Sequence, residues 1–354
     1  MPVCINSNEF IDDRWTGAKW PYIKPAKLAH ARSNRSISIG LVNNMPDGAL
    51  AAAERQFLSL LDSASGSLDV RVSFYSLHGI PRGESGVRYI NNFYSSTDNL
   101  WNTHLDGLIV TGREPLASNL ADEPYWNSFT RVLEWARYNT YSAVWSCLAA
   151  HAAILHMNGI RRVKSPCKHS GVFECMRVAE HPLTARAPRL LKLPHSRWNG
   201  IGEDALVNSG YSVLTSTADI GVDTFIKQER SLFVFFQGHP EYESDTLLLE
   251  YRRDVGRYLR GETDAYPLIP NGYFDQKTAA ELTVLQKRAI SHKRADLLEE
   301  VTAALGKSSI ENTWHSAAIC IYRNWLEYIC AQKQQLKSRS LSYQSSLDAV
   351  CLPQ

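Results

Sequence analysis

The sequence has little of what marks the more specialised protein classes. Its 38 Lys and Arg residues barely exceed its 36 Asp and Glu, a formal charge of +2, so the chain is not built to neutralise a nucleic-acid backbone. No long apolar stretch is present. The run from Ala317 to Tyr322 falls far short of the roughly 20 residues that a membrane span requires. Where an exported chain carries the apolar centre of its signal, this one has Asn6, Asn8, Glu9, Asp12 and Asp13, so export is not expected. The 7 cysteines, at 4, 147, 167, 175, 320, 330 and 351, include no CxxC pair. That argues against a disulfide scaffold or a zinc ribbon and for a reducing cytoplasm. Cys167, His169 and Cys175 form the densest set of ligand-type residues, too few and too unevenly spaced for structural zinc, so no metal is expected. With 44% hydrophobic and 21% charged residues in 354, and no internal repeat, the chain reads as one large globular domain with appendages.

Residues 1–35 show little periodicity and read as an irregular arm carrying Trp15 and Trp20. From Ser36 onward, strands and helices alternate. Ile37–Val42, Val70–Tyr75, Gly107–Val110 and Ser142–Ser146 read as strands. Ala49–Asp62, Trp126–Asn139 and Leu148–Met157 read as helices, the first capped by Asp47. The alternation predicts an α/β domain over 36–335, its parallel sheet covered by helices on both faces. The second half is richer in extended segments, at Gly171–Val178, Tyr211–Ser216, Asp223–Lys227 and Leu232–Gln237, several of them pairing antiparallel. Asp245–Leu259, 279–305 and Ser316–Gln332 read as helices. The stretch 277–310 is a helical insertion, and 336–354 is a polar tail expected to fray.

Two strand ends carry the chemistry. Cys147 lies between the strand Ser142–Ser146 and the helix beginning at Leu148, on a tight turn at the carboxyl edge of the sheet, where open α/β sheets bind ligands. A helix N-terminus favours thiolate over thiol, and the Leu148 N–H is placed as an oxyanion-hole donor. The glycines that usually flank such an elbow are absent, Trp145 and Ala149 standing in their place. Gln237-Gly238-His239-Pro240-Glu241-Tyr242 closes a second apolar strand. Pro240 biases His239 to an extended backbone, and Glu241 is spaced to orient its ring as the third member of a triad. His151, four residues after Cys147, is the competing base, expected to face solvent one turn along the helix.

Cys147, His239 and Glu241 in this order resemble the class I glutamine amidotransferase-like fold, which implies a flavodoxin-like sheet. From Ser36 to Ala331 the chain more closely resembles the homoserine O-succinyltransferase family. The resemblance is carried by Asn43-Asn44-Met45-Pro46, Gln56–Leu61, Asn91–Tyr94, Asp106–Gly112, Tyr125-Trp126, Lys168–Val172, Pro194–Arg197, Gly238–Tyr242 and Asn324-Trp325-Leu326. It implies ping-pong transfer in methionine biosynthesis. Cys147 takes the acyl group from succinyl-CoA, with no bound cofactor, and His239, supported by Glu241, activates the hydroxyl of L-homoserine. Lys168, Ser196 and Arg253 are then the substrate contacts. The partners implied are these small molecules, with a homodimer a further expectation.

The chain also departs from the family. Asp47-Gly48-Ala49 follows Met45-Pro46 where lysines are usual, and Arg113-Glu114-Pro115-Leu116-Ala117 replaces the usual Ala-Pro start after Thr111-Gly112. Acyl-donor choice falls in this loop, to Arg113, Glu114, Leu116 and Ala117. Arg113 would attract the distal carboxylate of succinyl-CoA, whereas Glu114 turned inward would favour acetyl-CoA. Serine or another amino alcohol is the alternative acceptor. A glutamine amidohydrolase is disfavoured by the missing Gly-x-Cys-x-Gly elbow, and a non-catalytic binding protein by the intact triad.

Overall fold

A computed structural model describes residues 4–5, 24–25 and 35–350, and the rest of the arm at 1–35 lies outside the described residues. From the arm come two short strands, β1 (Cys4–Ile5) and β2 (Lys24–Pro25). The alternating half follows as β3 (Ser36–Val42), α1 (Leu50–Ser65), β4 (Asp69–Tyr75), α2 (Glu84–Phe93), α3 (Thr97–Trp101), β5 (Gly107–Val110), α4 (Trp126–Asn139), β6 (Ser142–Ser146) and α5 (Leu148–Asn158). The second half adds β7 (Val163–Arg177), β8 (Leu190–Gly200), α6 (Glu203–Asn208), β9 (Ser212–Thr217), β10 (Gly221–Gln228) and β11 (Leu232–Phe236). Helices α7 (Thr246–Leu259), α8 (Gln276–Ser291), α9 (Leu297–Gly306) and α10 (His315–Val350) complete it.

All described strands join one sheet in the order β2-β1-β4-β3-β5-β6-β11-β10-β9-β7-β8. Pairing is parallel from β2 as far as β11 and antiparallel beyond it. Counting β3, β4, β5, β6 and β11 as first to fifth, the order is 2-1-3-4-5, that of the flavodoxin-like sheet. These strands are apolar runs because both faces are buried. Phe57, Leu61, Trp325 and Ile329 of α1 and α10 cover one face. Phe129, Leu133, Ala150 and Ala153 of α4 and α5 cover the other.

Several expectations change. Asp47 does not cap α1. Its carboxylate takes Arg82 Nη1 at 3.1 Å and the Gly83 N–H at 2.8 Å, and the helix begins after a short 3-10 turn, with Ala49 at the cap position. The segment 279–305 is two helices. Folding back lets Leu282 and Leu285 of α8 and Val301 and Leu305 of α9 both reach the Tyr251–Val255–Tyr258 stripe of α7, which one straight helix could not do. The polar tail stays helical to Val350, since neither Gly nor Pro interrupts it. Strand β8 and helices α2, α3 and α6 were not anticipated.

Candidate active site

Register brings the two chemical strand ends together. β6 and β11 pair parallel from Ser142 opposite Leu232 to Ser146 opposite Phe236, so both end at the same level. Cys147 N–H then donates to Phe236 O at 2.7 Å, fixing the elbow to the neighbouring strand. The elbow forms without glycines because Trp145 is turned into the core, its ring 5.5 Å from those of Phe129 and Phe233. Cys147 itself adopts φ 51° and ψ −110°, a conformation rare for L-residues and known from nucleophile elbows.

His239 Nδ1 lies 2.8 Å from Glu241 Oε1, which also accepts from Ser146 Oγ at 3.3 Å. Cys147 is the second neighbour of the imidazole and, like Glu241, favours its charged form. Tyr242 stacks beneath the ring, with centroids 4.2 Å apart. Burial disfavours a charged His239, but Cys147 and Glu241 outweigh it and hold the imidazolium well above its usual range. Cys147, His239 and Glu241 are thus brought to one place, and the two neighbours favour the charged form of the imidazole.

Leu148 N–H is the first helical amide of α5 and has no intrahelical acceptor. Gly112 lies directly against it. A Cβ built there would sit 2.7 Å from Leu148 N and 2.9 Å from Ala149 N, so only glycine leaves room before the helix terminus. An adjoining recess is lined by Asn44, Thr111, Arg113, Leu148 and Ala149. Arg113 Nη1 is buried there without a hydrogen-bond partner. Of the other donor-loop residues, Leu116 is 66% exposed and does not line the recess. Glu123 Oε1 accepts the N–H groups of both Leu116 and Ala117, at 2.6 and 2.7 Å, and sets that turn. Glu114 is directed outward, its Oε2 3.6 Å from Arg257 Nη1 on α7.

The anticipated substrate contacts converge on α7. Lys168 Nζ, on the irregular part of β7, is 2.8 Å from Asp254 Oδ2 and 3.7 Å from Glu250 Oε2. Ser196 Oγ on β8 donates to Glu250, and Tyr242 OH does so at 2.8 Å. Arg253 Nε bonds Asp254 Oδ1 at 2.8 Å and is the most exposed of the group. Burial pushes the Asp254 carboxyl up, but Lys168 and Arg253 prevail and hold it below the usual range. Burial and then the neighbouring Glu250 and Glu241 push the Tyr242 phenol up, so it stays a donor. Glu250, Asp254 and Tyr242 were missed from the sequence. The available signal was the i, i+4 spacing of the two carboxylates, which puts both on one helix face.

His151 is not the solvated residue expected. It is buried, with only 3% of its surface exposed, because α5 is apolar all round and lies between the sheet and its neighbours. Burial, with Arg197 and Arg162 nearby, pushes it down to about 3, so it is no competing base. Among the described residues one ligand-type cluster, Cys175, His195 and Asp223, brings its atoms within 4.8 Å. Both Asp223 oxygens accept hydrogen bonds, and His195 Nδ1 accepts from Arg197 Nε. His195 Nε2 lies 3.1 Å from Asp223 Oδ1 without an aligned hydrogen bond, and burial pushes the Cys175 thiol up.

The homoserine O-succinyltransferase family model matches residues 21–336. A homoserine O-succinyltransferase of Methylorubrum extorquens is 40% identical over 329 residues, 93% of this chain and 95% of that protein. One of Rhodopseudomonas palustris is 42% identical over 313 residues, covering 86% and 94% respectively. Among solved structures, a glutamine amido transferase from Methylobacillus flagellatus is 14% identical with a TM-score of 0.45, covering 84% of this chain and 96% of that one.

Proposed function

The chain belongs to the homoserine O-succinyltransferase family, and from that premise we propose that residues 36–335 transfer succinyl from succinyl-CoA to L-homoserine through a Cys147 thioester, in methionine biosynthesis. The observation that carries the mechanism is the placement of His239 between Cys147 and Glu241, both of which favour its charged form, at the level of a free helix N-terminus. Cys147 Sγ adds to the thioester carbonyl, whose oxygen becomes an anion before the Leu148 N–H. The C–S bond to CoA breaks, the CoA sulfur takes the His239 proton, and the succinyl group stays on Cys147. The homoserine hydroxyl then attacks the new thioester. Neutral His239 accepts its proton, and Cys147 leaves as thiolate. The product is O-succinylhomoserine.

The cluster on α7 suits an amino acid acceptor. Such a molecule presents one ammonium and one carboxylate. Glu250 and Asp254 match the first, and Lys168 and Arg253 the second, with Ser196 between them. For the donor, Arg113 supports succinyl over acetyl, since its buried Nη1 is free for a distal carboxylate while Glu114 is turned to Arg257. Measuring kcat/KM for both acyl-CoAs tests this. Arg113→Ala should lower the value for succinyl-CoA by about tenfold or more and leave acetyl-CoA within about twofold, as for a lost charge-assisted contact. A preference for acetyl-CoA unaffected by Arg113→Ala would make Glu114 the determinant, and product with serine but not homoserine would reassign the acceptor.

A further inference from the structure

Beneath the base lies a set of buried ionisable residues that the transfer steps leave unused. Asp223 and His195 are wholly excluded from solvent, and Arg197 nearly so. His195 Nε2 lies 3.1 Å from Asp223 Oδ1, and Arg197 Nε donates to His195 Nδ1 at 3.3 Å. Because Nδ1 accepts and burial pushes the imidazole toward its neutral form, the proton is assigned to Nε2, which lies beside the carboxylate without an aligned hydrogen bond. The second Asp223 oxygen accepts from Thr215 and Thr224 at 2.8 and 2.6 Å. Arg197 Nη1 and Nη2 donate to the carbonyls of Asn199 and Ile220. Its charge balances that of Asp223 across a neutral ring, the condition under which a buried carboxylate is tolerated.

What the set holds is the backbone of the base. Three successive N–H groups are clamped: Gln237 by the Asp223 carbonyl at 2.9 Å, Gly238 by Asp223 Oδ1 at 3.2 Å, and His239 by the Pro194 carbonyl at 2.8 Å. Pro194 precedes His195, so the contacts close a loop from Asp223 through the base and back. The approach is possible because residue 238 is glycine. A Cβ there would sit 2.7 Å from Asp223 Oδ1 and 3.0 Å from His195 Nε2. We infer that Asp223 and His195 are positioning residues of the transfer, fixing the His239 ring against Cys147 by closing this loop on its backbone. The inference rests on His239 being the base.

Alkylation of Cys147 by iodoacetamide as a function of pH, in the full-length protein, tests the clamp without donor or acceptor. The groups facing the pair are Arg197 on β8, Cys175 on β7, and, beyond Gly238, His239 with Cys147 and Glu241. Asp223→Ala should slow alkylation at pH 6 by about tenfold or more and move the profile toward that of an unassisted cysteine. Asp223→Asn, which keeps an acceptor for Gly238, should stay within about threefold of wild type. If Asp223→Ala does not fold, His195→Phe should show the same displaced profile and His195→Gln, which retains a donor, should restore it. A folded Asp223→Ala or His195→Phe with the wild-type profile would overturn the clamp. Wild-type Cys147 alkylated no faster than Cys167 would instead overturn the reading of nucleophile and base beneath it.

Discussion

At the scale of single residues, burial decides roles that composition leaves open. Cys147 and His151 lie one turn apart, yet one is a strained, partly exposed thiol at the sheet edge and the other a neutral ring in the core. Strain of the Cys147 kind costs about 1–3 kcal/mol and persists only where neighbours enforce it, here through the bond to Phe236 and the packed Trp145. His151 has a measurable consequence. In the unfolded chain an imidazole takes up a proton near pH 6.5, whereas folded His151 refuses it until about 3. Stability is therefore present above that window and lost as pH falls through it. Urea unfolding at pH 6.5 and pH 5 should show His151→Leu losing less stability than wild type, by up to ~2 kcal/mol. Equal losses in the two proteins would show that His151 is protonated in the fold.

At the scale of elements, α7 does what no single motif announces. Leu247, Tyr251 and Val255 are buried and fix its rotation, Tyr251 and Val255 within the cluster that α7 shares with α8 and α9. That rotation presents Glu250 and Asp254 to Lys168 and Ser196 on the β7–β8 pair. Arg252-Arg253-Asp254 reads as a solvated helix face, and only the fold shows that Asp254 on this face is paired with Lys168 of β7. If Glu250 receives the acceptor's ammonium, Glu250→Gln should raise KM for homoserine by about tenfold or more. Acylation of Cys147 by succinyl-CoA should proceed at a near-wild-type rate, because that half-reaction does not involve the amino acid. An equal loss in both half-reactions would show that Glu250 supports Tyr242 and the His239 ring instead.

At the scale of the whole molecule, the parallel half was legible because doubly covered strands are apolar runs and their helices carry one apolar stripe each. β3, β5, β6 and α4 fall within a residue of where the pattern puts them, and with them the elbow at Cys147. The antiparallel extension was less so. β8 contains Pro194 and the polar run His195-Ser196-Arg197, which reads as a loop, and its buried Arg197 is tolerated through hydrogen bonds to His195 and Asn199 on its own strand and to the Ile220 carbonyl just before β10. The meeting of Cys147, His239 and Glu241 was legible because each follows a strand, whereas the contacts of Asp223, His195 and Glu250 depend on the sheet order and the rotation of α7. α10 is tied to the sheet, Trp325 Nε1 donating to Ser142 Oγ at 2.9 Å at the start of β6, the strand that leads to Cys147. The central claim is that this architecture makes Cys147 the carrier of the acyl group. Intact-mass analysis after mixing the protein with succinyl-CoA, without acceptor, measures it directly, with peptide mapping to locate the adduct. The account predicts one succinyl group, on Cys147, discharged by homoserine and absent from Cys147→Ser; no adduct, or one that forms equally in Cys147→Ser, would contradict it.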